Sequence, residues 1–218
     1  MIVDKDNLVM RFVGKEMHKV YFTSDTHFLH QNIIKLCNRP FESIEQQDET
    51  LIENWNKKVP ENAIVFHLGD VGMKMEEDKI KKILDSLHGK IYLIVGNHDI
   101  GNIDMMKYRF EGIFWQLQLQ MGSTRVWLNH NPFLCYAGTY KEKHPSYQLF
   151  GHVHTGLHNY LGLDIPRMKH LFLWQYDVGV DNNHFTPISW MEIQELMLKR
   201  KEWKIQNSKE ADYDVITI

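Results

Sequence analysis

The chain has 218 residues, 43% of them hydrophobic and 24% charged, with a formal net charge of -3. That length suits a single domain over residues 1–218 with a sizeable core. The charge balance excludes a general pull toward nucleic acid or anionic lipid, and no apolar run reaches membrane-spanning length. The two cysteines, Cys37 and Cys135, fit no Cys-x-x-Cys spacing and read as free thiols of a reducing compartment. The first residues, Met1 to Asp6, carry no secretory hydrophobic region, so the expected location is cytoplasmic.

In chain order, residues 8–13 are expected to form a strand that turns at Gly14-Lys15 into a second strand over 19–24. That second strand runs into Asp25-Thr26-His27. If the segment stays extended, Asp25 and His27 point the same way. A short helix follows over 30–38 and is broken by Arg39-Pro40-Phe41. Ser43 and Gln46 read as a capping box opening a helix to about Lys58, with Ile44, Leu51, Ile52 and Trp55 on one face. Residues 63–68 form a buried strand ending at Gly69-Asp70. A helix over 76–88 stops at Gly89. The apolar strand 91–95 then delivers Gly96-Asn97-His98-Asp99, and this strand–helix–strand order is a βαβ unit.

Further on, a short helix is expected over 102–110 and strands over 113–121 and 124–128, the latter ending at Asn129-His130. Residues 136–147 read as a polar loop with Lys141, Lys143 and His144. The strand 148–150 delivers Gly151-His152-Val153-His154. Residues 155–169 are irregular and 171–180 form a late strand. Ser189 and Glu192 read as a second capping box, opening a helix to about Lys201. The tail from about 204 is polar, although Val215 to Ile218 could pair with a sheet edge.

Five strand ends therefore carry metal-binding or proton-carrying side chains. In open α/β sheets the C-terminal strand edge is where ligands bind. Asp, His and Asn donors without Cys suit Mn, Fe, Zn, Co or Ni better than a closed structural zinc site. A carboxylate is needed to bridge two cations, and Asp70 is the best candidate. Two metal ions about 3.5–4 Å apart can clamp an in-line displacement at phosphorus, with a bridging hydroxide as nucleophile. A histidine outside the ligand set, His98, would then protonate the leaving group.

The set Asp25-x-His27, Gly69-Asp70, Gly96-Asn97-His98-Asp99, His130 and Gly151-His152-x-His154 resembles the motif series of the calcineurin-like metallophosphoesterases. The resemblance runs from about residue 20 to 180, in the family's order. It extends to small bacterial and phage-type members through His30-Gln31-Asn32-Ile33-Ile34 and Arg39-Pro40-Phe41. It implies a four-layer α/β/β/α sandwich and a dinuclear centre. Asp25, His27 and His154 would bind the first ion, Asn97, His130 and His152 the second, and Asp70 would bridge. His98 would be the phosphate-binding acid. Gly69-Asp70 is followed by Val71-Gly72-Met73-Lys74, and Asp99 stands where protein Ser/Thr phosphatases of the superfamily carry Glu, so a protein-phosphatase reading is disfavoured.

Other residues weigh differently. His67 reads as a packed core histidine. Arg39 could bind a phosphate oxygen bidentately, and His30 is a second candidate substrate contact, a purely structural loop role being equally open for both. Asp181-Asn182-Asn183 either borders the site or forms a turn. The reading that follows is a phosphoester hydrolase acting on a small phosphodiester or nucleotide. Its rivals are a non-catalytic interaction scaffold on the same fold, a nuclease acting on nucleic-acid ends, and a mononuclear structural site. Oligomeric state and native metal pair are not encoded legibly.

Overall fold

Strict two-residue alternation of large apolar side chains builds two sheets that face each other. The computed structural model describes residues 9–73, 76–139, 144–154 and 173–206. Among these the strands are β1 (Val9–Phe12), β2 (Val20–Thr23), β3 (Ile64–His67), β4 (Lys90–Ile94), β5 (Phe110–Phe114), β6 (Gln116–Met121), β7 (Thr124–Asn129), β8 (Tyr147–Phe150), β9 (Gln175–Asp177) and β10 (Ile188–Ser189). The helices are α1 (Gln31–Leu36), α2 (Ile44–Lys58), α3 (Glu77–Ser86), α4 (Ile103–Met106) and α5 (Trp190–Gln206). One sheet has the order β10-β2-β3-β4-β5 and the other β1-β6-β7-β8-β9.

Val20, Phe22, Phe66 and Ile94 of the first sheet meet Leu117, Leu119, Val126, Leu128 and Leu149 of the second. Their neighbours Tyr21, Val65, Ile91 and Leu93 point the other way, onto Leu51 and Trp55 of α2, Ile80 and Leu84 of α3, and Met106 of α4. The first sheet is thus buried on both faces, as near-continuous apolar strands require. Trp190, Ile193 and Met197 of α5 close the inter-sheet core beside β2 and β10. The α/β class is as the sequence implies, with flanking helices around mixed sheets.

The helix signals hold, although the Gln46 side chain accepts the Glu42 N–H (2.7 Å) and not that of Ser43. The Ser43 hydroxyl accepts from the Gln46 amide (3.2 Å). Ser189 and Glu192 make the reciprocal pair, Ser189 N donating to Glu192 Oε2 (3.0 Å) and Glu192 N to the Ser189 hydroxyl (3.3 Å).

Three expectations need correction. β1 and β2 are not a hairpin. A 3-10 turn over Gly14–Lys19 separates them, and β1 pairs in parallel with β6 of the other sheet. The expected strand 113–121 is two strands in different sheets, divided at Trp115. The apolar alternation Ile113, Trp115, Leu117, Leu119, Met121 continues through the change of sheet, so periodicity alone could not register it. The helix of 102–110 is only α4, followed by a 3-10 turn over Lys107–Arg109 and the start of β5. The late strand appears as β9. The irregular stretch 155–169, Lys141 and Lys143, and the tail from 207 lie outside the described residues.

This arrangement aims strand ends at one rim. β2, β3 and β4 are parallel, and so are β7, β8 and β9. The six C-terminal ends come together where the sheets meet, since Ser24 bridges Gly179 and Gly151 N donates to the His130 carbonyl (2.8 Å).

Phe66 anchors the inter-sheet core. Its ring stacks on Phe22 (5.6 Å between centroids) and on Tyr92 (5.3 Å), and meets Phe12 edge-on (6.1 Å). Phe66→Ala is expected to lower stability by about 3–5 kcal/mol, read as a fall in the urea midpoint with an unchanged denaturant slope.

Candidate active site

The loops after β2 and β3 run side by side. Asp25 N donates to the Gly69 carbonyl (2.9 Å), His27 N to that of Asp70 (3.1 Å) and Phe28 N to that of Val71 (2.8 Å). The first motif is not extended as expected. Asp25 (φ 58°) and His27 (φ 49°) are left-handed, as are Asp70 (56°), His152 (70°) and His154 (46°). Non-glycine residues rarely adopt this conformation, and each does so at roughly 1–2 kcal/mol. Five such residues in one cluster mark a place where side-chain direction overrides backbone preference.

The side chains form two groups. The donor atoms of Asp25, His27 and His154 lie within 4.8 Å of one another, and so do those of Asp70, His130 and His152. Asp70 Oδ2 lies between the groups, 3.7 Å from His27 Nε2 and 3.4 Å from His130 Nε2. Asn97 Oδ1 joins the second group, 3.1 Å from His130 Nε2 and 3.0 Å from His152 Nδ1. His154 Nε2 is 3.8 Å from Asp25 Oδ1. Metal–ligand bonds of about 2.1 Å leave neighbouring donors roughly 3–3.5 Å apart, close to this spacing.

His27 provides an independent test of fit. It is fully buried, and its Nε2 has no hydrogen-bond partner. A buried ring nitrogen left bare is costly unless a ligand uses it. Burial, reinforced by the nearby His154 and Arg39, holds the pKa of His27 well below its ordinary value, so the ring is neutral. Its Nδ1 lies 3.1 Å from His30 Nδ1, and the tautomer that carries its proton there would present a lone pair from Nε2 to the cluster.

The surrounding field favours positive charge. Burial would lower the pKa of His130, but Asp70 and Asp25 hold it up at about 9. Burial likewise opposes protonation of His154, and Asp25 and Asp181 overcome it to raise that pKa well above the usual value. The carboxylates of Asp70, Asp25 and Asp181 thus put negative potential on these two rings, whereas burial and the nearby His130 lower the pKa of His152.

Glycines permit the close approach. A Cβ on Gly96 would overlap the Asp70 carboxylate and backbone nitrogen, and one on Gly151 would overlap Ser24 Oγ and the Asp25 carboxylate. The glycines after β4 and β8 therefore leave room for the Asp70 and Asp25 side chains and are not only turns.

Asp99 holds the loops together. Its carboxylate accepts from the backbone N–H groups of Gly96 (2.8 Å), Asp70 (2.9 Å) and Val71 (2.9 Å). It does not orient the His98 ring. His98 is placed by its backbone, its N–H donating to Asp70 Oδ1 (2.9 Å) and its carbonyl accepting from Asn102 (2.9 Å). Its half-exposed ring reaches to 4.0 Å from Asp70 Oδ2. His67 is the packed histidine expected: Gly69 N–H donates to its Nδ1 (3.2 Å), and its Nε2 meets Thr26 Oγ1 (2.9 Å). Burial lowers its pKa to about 3.

Arg39 requires a correction. It does not turn outward to a phosphate. Its Nε and Nη2 clamp the two oxygens of Asp181 (2.9 and 2.8 Å). Nη2 also donates to the Asp25 carbonyl (2.7 Å), and Nη1 donates to the Thr26 carbonyl (3.1 Å) and Gln47 Oε1 (3.0 Å). All five guanidinium N–H groups are engaged, which leaves none for substrate. Asp181 in turn accepts from His154 Nδ1 (2.8 Å). Burial opposes its ionisation, but Arg39 and His154 hold it at about 2. Cys37 lies beside His154 and Asp181 as a third donor group, yet both Asp181 oxygens already face Arg39.

From sequence, Asp181 either borders the site or belongs to a turn; the structure builds it into the site, against Arg39 and His154. The missed signal was Gly179-Val180-Asp181, a further Gly-then-Asp pattern just beyond a strand. Gln47 and Asp48, on α2, had no distinguishing pattern.

The sequence profile of the calcineurin-like phosphoesterases matches residues 18–215. The chain belongs to that family. This calcineurin-like phosphoesterase is 34% identical to an uncharacterized protein of Methanocaldococcus jannaschii, over 85% of this chain and 94% of that protein. It is 25% identical to the gene 66 protein of Mycobacterium phage L5, over 76% of this chain and 87% of the phage protein. The crystal structure of a protein of unknown function from Aquifex aeolicus superposes with a TM-score of 0.63 at 26% identity, covering 81% of this chain and 98% of that one. No helix among the described residues is long and apolar enough to cross a membrane.

Asp48 supplies a pH test of the loop behind the site. Its Oδ2 accepts from Leu29 N (3.1 Å), itself left-handed (φ 62°), while buried Oδ1 has no partner. Burial pushes its pKa from 3.8 to about 7. The folded state therefore binds more protons than the unfolded state between those values, and this contribution is lost as pH rises toward 7. Asp48→Asn is expected to gain stability relative to wild type by about 2 kcal/mol between pH 5 and pH 8, read from urea denaturation at both pH values.

Proposed function

We propose that this phosphoesterase is a dinuclear metal-dependent hydrolase of a small phosphodiester or nucleotide. The observation that carries the reading is Asp70 Oδ2, set between His27 Nε2 and His130 Nε2 at 3.7 and 3.4 Å, where one carboxylate can serve two cations. Asp25, His27 and His154 would hold the first ion and Asn97, His130 and His152 the second. Bound there, a pair of divalent cations such as Mn, Fe, Zn, Co or Ni supplies Lewis acidity toward water and the phosphoryl oxygens.

The chain's own residues do the rest. His98 stands at the mouth of the cluster on a backbone fixed by Asp70 and Asn102, with its ring 34% exposed. It is the general acid that protonates the departing oxygen. His30, with its ring 6.2 Å from that of His98, is the proposed substrate contact. The net charge of -3 supports a small substrate over a long nucleic acid, whose binding rests on many phosphate contacts.

Hydrolysis of bis(p-nitrophenyl) phosphate and p-nitrophenyl phosphate with added Mn²⁺ tests this. Wild type is expected to turn over and to lose activity on chelation. His98→Ala is expected to fall at least about a hundredfold in kcat with its metal content retained. Metal-loaded wild type that hydrolyses neither compound counts against the reading and in favour of an interaction scaffold. A diester rate below the monoester rate removes the diester preference.

A further inference from the structure

Arg39 and Asp181 lie outside both groups of candidate ligands, yet they are built into one of them. Both are buried. The bidentate clamp between them uses the planar fork of guanidinium against both carboxylate oxygens, a geometry lysine cannot reproduce. From this pair, hydrogen bonds among the described residues lead to the first group. Arg39 holds the carbonyls of Asp25 and Thr26, the backbone leading into His27. Gln47, which also accepts from Arg39, donates to the His27 carbonyl (3.4 Å). Asp181 accepts from His154 Nδ1, which leaves Nε2 of that ring toward Asp25.

The second group is supported differently. His130 Nδ1 faces the neutral carbonyl of Leu68 (2.7 Å). The first half thus rests on a buried ion pair and the second on the Leu68 carbonyl, with the His152 N–H, held by the Asp25 carboxylate, as the link between them.

We propose that the Arg39–Asp181 pair positions His154 and the Asp25–His27 loop so as to set the affinity of the first cation position alone. This inference rests on the dinuclear reading above. Arg39 and Asp181 are positioning residues: they act through His154 and the loop backbone and touch neither substrate nor cation. Asp181 fixes the ring's proton on Nδ1 and its plane, while Arg39 offsets the carboxylate's charge, so that orientation is supplied without a further net negative charge. Loss of such an outer partner typically weakens metal binding tenfold to a hundredfold.

The test uses the full chain, stripped by chelator and titrated with Mn²⁺, with bound metal counted by mass spectrometry and its environment read by electron paramagnetic resonance. Wild type is expected to take two ions per chain and to show the spectrum of a coupled pair. Asp181→Asn, folded by circular dichroism, is expected to keep one ion at wild-type affinity, to bind the other about ten to a hundred times more weakly, and to show an uncoupled six-line Mn²⁺ signal at one equivalent. Arg39→Lys, which keeps the charge and loses the fork, is the second variant and is read in the same way should the first not fold. His130→Ala is the comparison for loss from the other side.

Two ions bound with unchanged affinity in a folded Asp181→Asn or Arg39→Lys protein would overturn the proposal while leaving the dinuclear reading intact. Loss of both ions together would also overturn it, since the pair is assigned to one position only. Wild type saturating below two ions would remove the dinuclear reading and this inference with it.

Discussion

The Asp70 carboxylate is the constraint around which this molecule is arranged. One oxygen accepts the His98 backbone N–H, and the other faces ring nitrogens from β2's loop, β7's end and His98 itself. To bring one carboxylate to three histidines, the ends of strands from two sheets must meet within a few ångström. The parallel order of β2, β3 and β4, the parallel order of β7, β8 and β9, and the glycines beside Asp25 and Asp70 all serve that convergence.

Two physical demands conflict at this rim. The side chains must be buried deeply enough for their charges to matter, and burial penalises charge. The molecule resolves the conflict with backbone. Asp99 takes three N–H groups, Asp25 takes the His152 N–H on both oxygens (3.1 and 3.0 Å), and Arg39 binds two carbonyls. The left-handed residues are the other side of this solution: their strain is held by a dense mesh of main-chain hydrogen bonds between neighbouring loops.

Much of this was legible in the sequence, and the reasons differ by residue. Asp25, His27, Asp70, Asn97, His130, His152 and His154 follow apolar strands directly, so local pattern located them, and the structure brings them together. Whether each binds metal is a matter for chemistry, not geometry. What local pattern missed is what depends on partners distant in sequence. Arg39 reads from sequence as either a phosphate contact or a structural loop residue, and what decides it is Asp181, 142 residues away, which draws it inward. Asp99 carries no assignable role in the sequence, because its carboxylate's partners are backbone groups with no sequence trace. The division of one apolar run into β5 and β6 at Trp115 was hidden for a related reason. Alternation reports which side of a sheet is buried, not which sheet.

The joining of Asp25 to His152, 127 residues apart, has a consequence for folding. Neither sheet alone carries a complete donor set: each half of the cluster draws on the ends of both. A cation that binds only the finished rim stabilises the native chain as a whole by mass action and gives nothing to a half-assembled one. Contacts of such long sequence separation form late and slowly. A cation held at this rim would therefore favour only molecules in which both sheets have closed on each other.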